Sequence, residues 1–174
     1  TIYGVTTGFG ASVEFQVSPD VAEQMPLHLV RYHGCGTGAL FGPREAAAIV
    51  AVRANSLSLG ASGVRQELLD RLCLFVERGM LPCIPEEGSV GASGDLTPLS
   101  YVGALLVGER EAWLDGAMVS APDAHARLGI TPITLRPKES LAIMNGTSVM
   151  TALGCLSWVR ARRLHSARFR LHGP

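Results

Sequence analysis

Pro85-Glu86-Glu87-Gly88-Ser89-Val90-Gly91-Ala92-Ser93-Gly94-Asp95-Leu96-Thr97-Pro98-Leu99-Ser100 is the stretch on which the reading of this chain turns. At its centre stand three small residues, Ala92, Ser93 and Gly94, the last with an amide that no Cβ shields. Such a tripeptide can fold back so that the Gly94 nitrogen attacks the Ala92 carbonyl carbon. Loss of two waters, one carrying the Ser93 hydroxyl, leaves a five-membered ring with an exocyclic methylene. That ring is an electrophile, which no ordinary side chain supplies. Closure needs a compressed backbone, which Gly94 permits and Gly91 relieves, and a rigid surround to hold the strain. Asp95 is placed to cap a helix from Leu96 to about Val107, with Pro98 in its permissive first turn. The positive end of that helix would favour electron density flowing onto the ring. Taken alone, the tripeptide reads as a plain loop before a helix cap.

Two further segments change that balance. Tyr3-Gly4-Val5-Thr6-Thr7-Gly8-Phe9-Gly10 lies upstream, and Lys138-Glu139-Ser140-Leu141-Ala142-Ile143-Met144-Asn145-Gly146-Thr147 lies downstream. In order and wording, the three stretches resemble the lid motif, cofactor loop and substrate-binding asparagine motif of the aromatic amino acid ammonia-lyases and 2,3-aminomutases. This superfamily includes the histidine, phenylalanine and tyrosine ammonia-lyases. The resemblance implies a mainly α fold, the helical N-terminal part of an ammonia-lyase-like architecture with one short β-hairpin. It treats residues 1–174 as a single region, the truncated cofactor-bearing part of a longer lyase. It implies a 4-methylideneimidazole-5-one cofactor formed from Ala92, Ser93 and Gly94, with no metal and no nucleotide. It also implies a small-molecule aromatic amino acid as substrate, and a homotetramer when the protein is full-length.

The chain holds 174 residues, of which 47% are hydrophobic, enough for one domain with a substantial core. Its formal net charge is zero, which gives no footing for nucleic acid or an anionic membrane surface. No apolar run is expected to span a bilayer, and no signal peptide is visible. Cys35, Cys73, Cys83 and Cys155 show no paired spacing, which argues against a zinc site or a disulfide framework and suits a reducing cytoplasm. His28, His125, His165 and His172 show no metal spacing either. Neither a Walker pattern nor a strand–GxGxxG–helix context is present, so the glycines are not a phosphate cradle. The sequence begins inside a motif and ends in the basic run Arg162 to Pro174, which departs from the Ala-rich helix of the family and suggests truncation or a reading-frame artefact, with a solvated basic helix as the alternative.

Helical signals dominate. Ser18-Pro19-Asp20 starts a helix that Pro26 should kink or restart, giving a second short helix from Pro26 to His33. Pro43 opens the next and Gly60 closes it, with Ala46, Ile49, Val50, Arg53 and Leu57 on one stripe. Val64 to Arg78 is amphipathic, with Leu68, Leu72, Phe75 and Val76 inward and Gly79 as its stop. Pro82 and Pro85 extend the chain into the glycine-rich loop. Asp115-Gly116 suits a type I′ turn inside a hairpin from Trp113 to Val119. Pro122 to Leu128 reads as a short helix, Pro137 opens another, and Ser148 to Arg163 is a long one.

The chemistry that the resemblance implies removes a β-proton from an amino acid and expels ammonia, so a base is needed. Tyr3 is the candidate. A tyrosine is ordinarily protonated at neutral pH, with a reference pKa near ~10, so its site must alter that. Gly4, Gly8 and Gly10 suit a lid that closes over substrate, and the Gly10 backbone N–H can serve cofactor or substrate. An exposed terminal tyrosine is the competing reading. The Asn145 amide both donates and accepts, so it can hold the substrate carboxylate or amine, or the ring oxygen; a helix cap is its bland alternative. Tyr32 and His33 occupy positions where the family contacts the substrate side chain. A histidine there points to a polar ring, either a phenol or an imidazole. Tyr32 departs from the small residue of histidine-specific members, which puts tyrosine first and phenylalanine next. A core histidine bonded to backbone competes with this role. Glu86 and Glu87 either orient the loop or are surface charges.

The expected catalytic set is therefore Tyr3, Ala92, Ser93 and Gly94, and the substrate-binding set is Gly10, Tyr32, His33 and Asn145. The expected activity is aromatic amino acid ammonia-lyase or 2,3-aminomutase, a lyase giving an arylacrylate. Histidine ammonia-lyase, or a non-catalytic helical fragment that forms no ring, is the alternative. The isolated 174-residue piece is expected to be inactive.

Overall fold

A computed structural model describes residues 1–91 and 94–172, with side chains to residue 168. Among the described residues, a short 3-10 turn (Gly10–Ser12) and seven α-helices are joined by short strands: α1 (Pro19–His33), β1 (Thr37–Leu40), α2 (Pro43–Ser58), α3 (Gln66–Arg78), β2 (Leu81–Pro82), β3 (Pro85–Glu87), α4 (Leu96–Leu106), β4 (Glu111–Leu114), β5 (Ala117–Ser120), α5 (Ala121–Leu128), α6 (Glu139–Met144) and α7 (Ser148–His172). The architecture is mainly α.

The central element is α4. It is apolar on every side because every side is covered: Leu99, Val102, Ala104, Leu105 and Leu106 are all buried, and α1, α3, α6 and α7 pack around it. The α2 stripe faces inward as expected, with Ala46, Ile49, Val50, Arg53 and Leu57 buried. Leu68, Leu72 and Phe75 of α3 complete the core. Gly79 ends α3 in the left-handed region, and its N–H and that of Met80 close the last turn.

Pro26 does not divide its helix. Pro19–His33 is one element, because Ala22, Pro26, Leu29 and Val30 form a single buried face. Packing of that face outweighs the one backbone hydrogen bond that proline removes. The hairpin turns at Asp115 (φ 52°) and Gly116 (φ 78°), both left-handed as a type I′ turn requires. It is extended by β2 into a three-stranded antiparallel sheet, and β1 pairs separately with β3, with Thr37 opposite Glu87 and Leu40 opposite Pro85. Pro82 and Pro85 thus sit in short strands. The Trp113 indole N–H donates to the Phe41 carbonyl at 3.1 Å and links the two sheets.

By length and composition, the helical stretch Glu139–Arg168 is long and apolar enough to cross a membrane, contrary to the expectation of no such run. α7 packs against α2, and its Val149 and Ala152 are buried, whereas Trp158 and Leu164 further along are exposed. The four cysteines are free, Cys83 buried and the others exposed.

Candidate active site

The glycine-rich loop leaves β3, passes Gly88 and Gly91 and enters α4 at Leu96. Ala92 and Ser93, two of the expected ring-forming residues, lie outside the described residues. The third, Gly94, has φ +117°, and an ideal Cβ there would stand 2.6 Å from the nitrogen and 2.7 Å from the oxygen of Gly146. Only glycine tolerates both that conformation and that contact. The next N–H, of Asp95, donates to the Gly146 carbonyl at 2.7 Å. The loop therefore rests directly on the backbone of the asparagine motif.

Asp95 occupies the expected position at the start of α4, but its side chain makes no cap there. Its carboxylate accepts instead from the Val149 N–H at 2.9 Å and the Met150 N–H at 3.1 Å, in the first turn of α7. The Ser89 hydroxyl donates to its other oxygen at 3.0 Å. One carboxylate thus ties the two ends of the loop to the head of the longest helix. Two backbone N–H groups need an acceptor there, and a negative charge suits that end of a helix.

Asn145 follows α6 at the break before α7, as expected. Its side chain is exposed beside a cleft of about 390 Å³ that Arg53, Gly146, Thr147, Ser148 and Thr151 also line. The turn is held from below by Arg53, which is 3% exposed. Its Nη2–H donates to the Ala142 carbonyl and, at 3.3 Å, to the Asn145 carbonyl. The Ala142 carbonyl belongs to the last turn of α6 and Asn145 caps that helix, where carbonyls lack partners within the helix.

The Tyr3 hydroxyl accepts from the Gly10 N–H at 2.9 Å, so that amide is spent on the tyrosine. The Tyr3 and Phe9 rings meet edge to face at 6.2 Å. Gly4 is buried between Phe9 and Leu141 of α6, which seats the lid segment on the helix leading to Asn145. Tyr3 itself is 46% exposed.

Tyr32 and His33 end α1, with ring centroids 4.6 Å apart. Burial first, and the nearby Tyr3 second, push the Tyr32 phenol up from its ordinary value. His33 Nδ1 lies 3.1 Å from the Leu29 carbonyl. A carbonyl only accepts, so Nδ1 is the donor in this contact, and in that tautomer Nε2 is the acceptor. The backbone thus takes one ring nitrogen. Arg110, in the left-handed region at φ 69°, donates to the Gly34 carbonyl at 2.8 Å. Its guanidinium lies 4.5 Å over the Tyr101 ring, fixing the end of α1 to α4.

Among the described residues, no hydrogen bond or ring contact joins Tyr32 or His33 to Gly94 or Asn145. Their segment reaches the loop through backbone: an ideal Cβ on Gly88 would stand 3.2 Å from the Gly36 Cα. Glu86 and Glu87 are exposed on β3, and Glu87 lies over Gly38. Sequence reasoning put Arg53 on the inward stripe of α2 without a partner. A charge on an otherwise apolar face was the available signal for its role. Nothing local announced Arg110.

Helices, small sheets and a loop seated on an asparagine turn define an ammonia-lyase-like fold. The family described as aromatic amino acid lyase matches residues 1–171, and the chain belongs to that family. A histidine ammonia-lyase of Shouchella clausii (strain KSM-K16) is 42% identical over 164 residues, 94% of this chain and 33% of the relative. An MIO-dependent tyrosine 2,3-aminomutase of Streptomyces globisporus is 49% identical over 160 residues, 92% of this chain and 30% of the relative. Among solved structures, a phenylalanine aminomutase of Pantoea agglomerans superposes with a TM-score of 0.91 at 33% identity, covering 97% of this chain and 32% of that one. The chain spans about a third of the length of the curated relatives it matches.

Proposed function

We propose that the intact protein acts on an aromatic α-amino acid, tyrosine ahead of phenylalanine, as an ammonia-lyase or a 2,3-aminomutase. The observation that carries this reading is the seating of Gly94 on Gly146, beside Asn145. Close backbone contact at Gly94 supports a held loop of the kind that condensation of Ala92, Ser93 and Gly94 would require. Those residues would form 4-methylideneimidazole-5-one, which when present supplies an electrophile that draws electron density from the substrate.

The chain's own groups do the rest. Tyr3 would take the β-proton only through its phenolate oxygen; the Cα–N bond breaks, and the bonding pair of the β C–H becomes the new double bond. Ammonia leaves with the pair of the broken bond, and a lyase releases the arylacrylate. An aminomutase keeps the ammonia and returns it to the β-carbon. The Asn145 amide holds the substrate carboxylate or amine. The acceptor at His33 Nε2 suits a phenolic hydroxyl, which donates. The full-length enzyme works as a homotetramer in the cytoplasm, with no metal, nucleic acid or membrane partner.

An imidazole N–H would also donate to His33 Nε2, and several relatives are histidine ammonia-lyases. Histidine is therefore the second reading. The test uses the full-length protein. Its mass should be lower than the sequence mass by two waters, and Ser93→Ala should abolish that deficit together with turnover. Tyrosine, phenylalanine and histidine are then assayed side by side. Absence of the deficit in the unaltered protein would leave a non-catalytic helical chain, and faster turnover of histidine would favour the second reading.

A further inference from the structure

Arg53 is a buried charge that the chemistry above leaves unused. Among the described residues no carboxylate pairs with it, and its Nε has no partner. Burial pulls its guanidinium below the ordinary value. Burying a cation without a counter-ion is costly, and an apolar side chain would fill the same space without that cost. The position therefore uses the shape of the guanidinium. Its fork reaches three separated oxygens: the Ala142 carbonyl, the Asn145 carbonyl at 3.3 Å and the Ser148 hydroxyl at 3.5 Å. These span the end of α6, the turn and the start of α7.

That turn is the floor beneath Gly94. An ideal Cβ on Gly146 would stand 2.1 Å from Nη1 of Arg53, and one on Gly94 would stand 2.6 Å from the Gly146 nitrogen. Guanidinium, turn and loop are stacked with no side-chain thickness between them. A shift of Arg53 is passed on to Asn145 and Gly94, because backbone in such contact has no slack to absorb it.

We propose that Arg53 is a positioning residue, whose fork sets the place of Asn145 and holds Gly146 against Gly94 so that the loop can condense. The inference rests on the electrophile reading above. It makes geometry, not charge, the requirement. Lysine carries the charge but is a single point donor that cannot span the three oxygens.

The experiment compares the full-length protein with its Arg53→Lys, Arg53→Met and Gly146→Ala variants. Three quantities are read: loop-peptide mass, far-UV melting, and kcat and KM on tyrosine. In Arg53→Lys we expect a folded protein in which much of the loop peptide keeps its two waters. Its kcat should fall by about 10²-fold, with a smaller change in KM. Gly146→Ala retains Arg53 but displaces its guanidinium, and should do the same even if Arg53→Met fails to fold. Full condensation and unaltered kcat in Arg53→Lys and Gly146→Ala would overturn the proposal. So would losses of activity that only track the unfolded fraction, which would assign Arg53 to stability. An unaltered protein with no mass deficit would remove the electrophile reading and this inference together. A deficit that all variants share would remove this inference alone.

Discussion

Asp95 begins α4, yet its carboxylate serves Val149, 54 residues later, accepting that N–H at 2.9 Å. The same oxygen takes the Met150 N–H at 3.1 Å. The loop and the longest helix are thereby fastened at one point, and each of the following expectations draws on the arrangement around it.

Asp95→Ala leaves both N–H groups of α7 without their acceptor. Loss of a helix cap of this kind costs about 1–2 kcal/mol, to be read from the urea midpoint. Asp95→Asn retains an acceptor oxygen and should lose less. An unchanged midpoint in Asp95→Ala would contradict the cap.

Gly94→Ala places a methyl 2.6 Å from the Gly146 nitrogen in a backbone at φ +117°. Neither backbone can yield cheaply, so the loop should lift from the turn. The expected result is a protein that retains both waters at positions 92–94 and has no turnover. Mass spectrometry of the loop peptide checks it, and a loop peptide that loses both waters in Gly94→Ala would contradict it.

His33→Leu removes the acceptor at Nε2 while keeping an apolar side chain. A site that bonds a substrate hydroxyl discriminates strongly against its absence. The ratio of kcat/KM for tyrosine over phenylalanine should fall by about 10²-fold. A constant ratio would place the substrate hydroxyl elsewhere.

Glu139, at the head of α6, is 4% exposed. Desolvation works to raise its carboxyl. Hydrogen bonds from the Arg65 side chain and from the Arg136 and Arg65 backbones, with the Arg65 charge, outweigh it and hold the group below its ordinary value of 4.5. A carboxyl lowered on folding stabilises fully above its unfolded value. That contribution is lost as pH falls from 4.5 through the lower value of the folded chain. Acid titration of stability should show this loss, and Glu139→Gln should remove that part of the pH dependence.

What the sequence made legible was local. The α2 stripe, the Asp115-Gly116 turn and the Gly79 stop depend on residues a few positions apart, and each stands where periodicity and turn chemistry put it. Asp95 shows the limit. An aspartate before a helix reads as that helix's cap, because nothing nearby names a partner 54 residues away. Pro26 fails in the opposite direction, since its local penalty is visible while the buried face that overrides it is tertiary. For the site, the motifs drew attention to Gly94, Asn145, Tyr3 and His33. Of the supports, Arg53 was marked only by a charge on an apolar stripe and Arg110 not at all, because an arginine that bonds main-chain carbonyls leaves no repeating pattern.

The dependence of Gly94 on Gly146 also orders events in time. The segment that would cyclise leaves the ribosome well before the residues forming its floor. Until Asn145 and Gly146 emerge and dock, the loop has nothing to press against and stays ordinary peptide. On the proposed reading, maturation of the electrophile would be a late checkpoint, passed only by molecules whose α6–α7 corner has already closed.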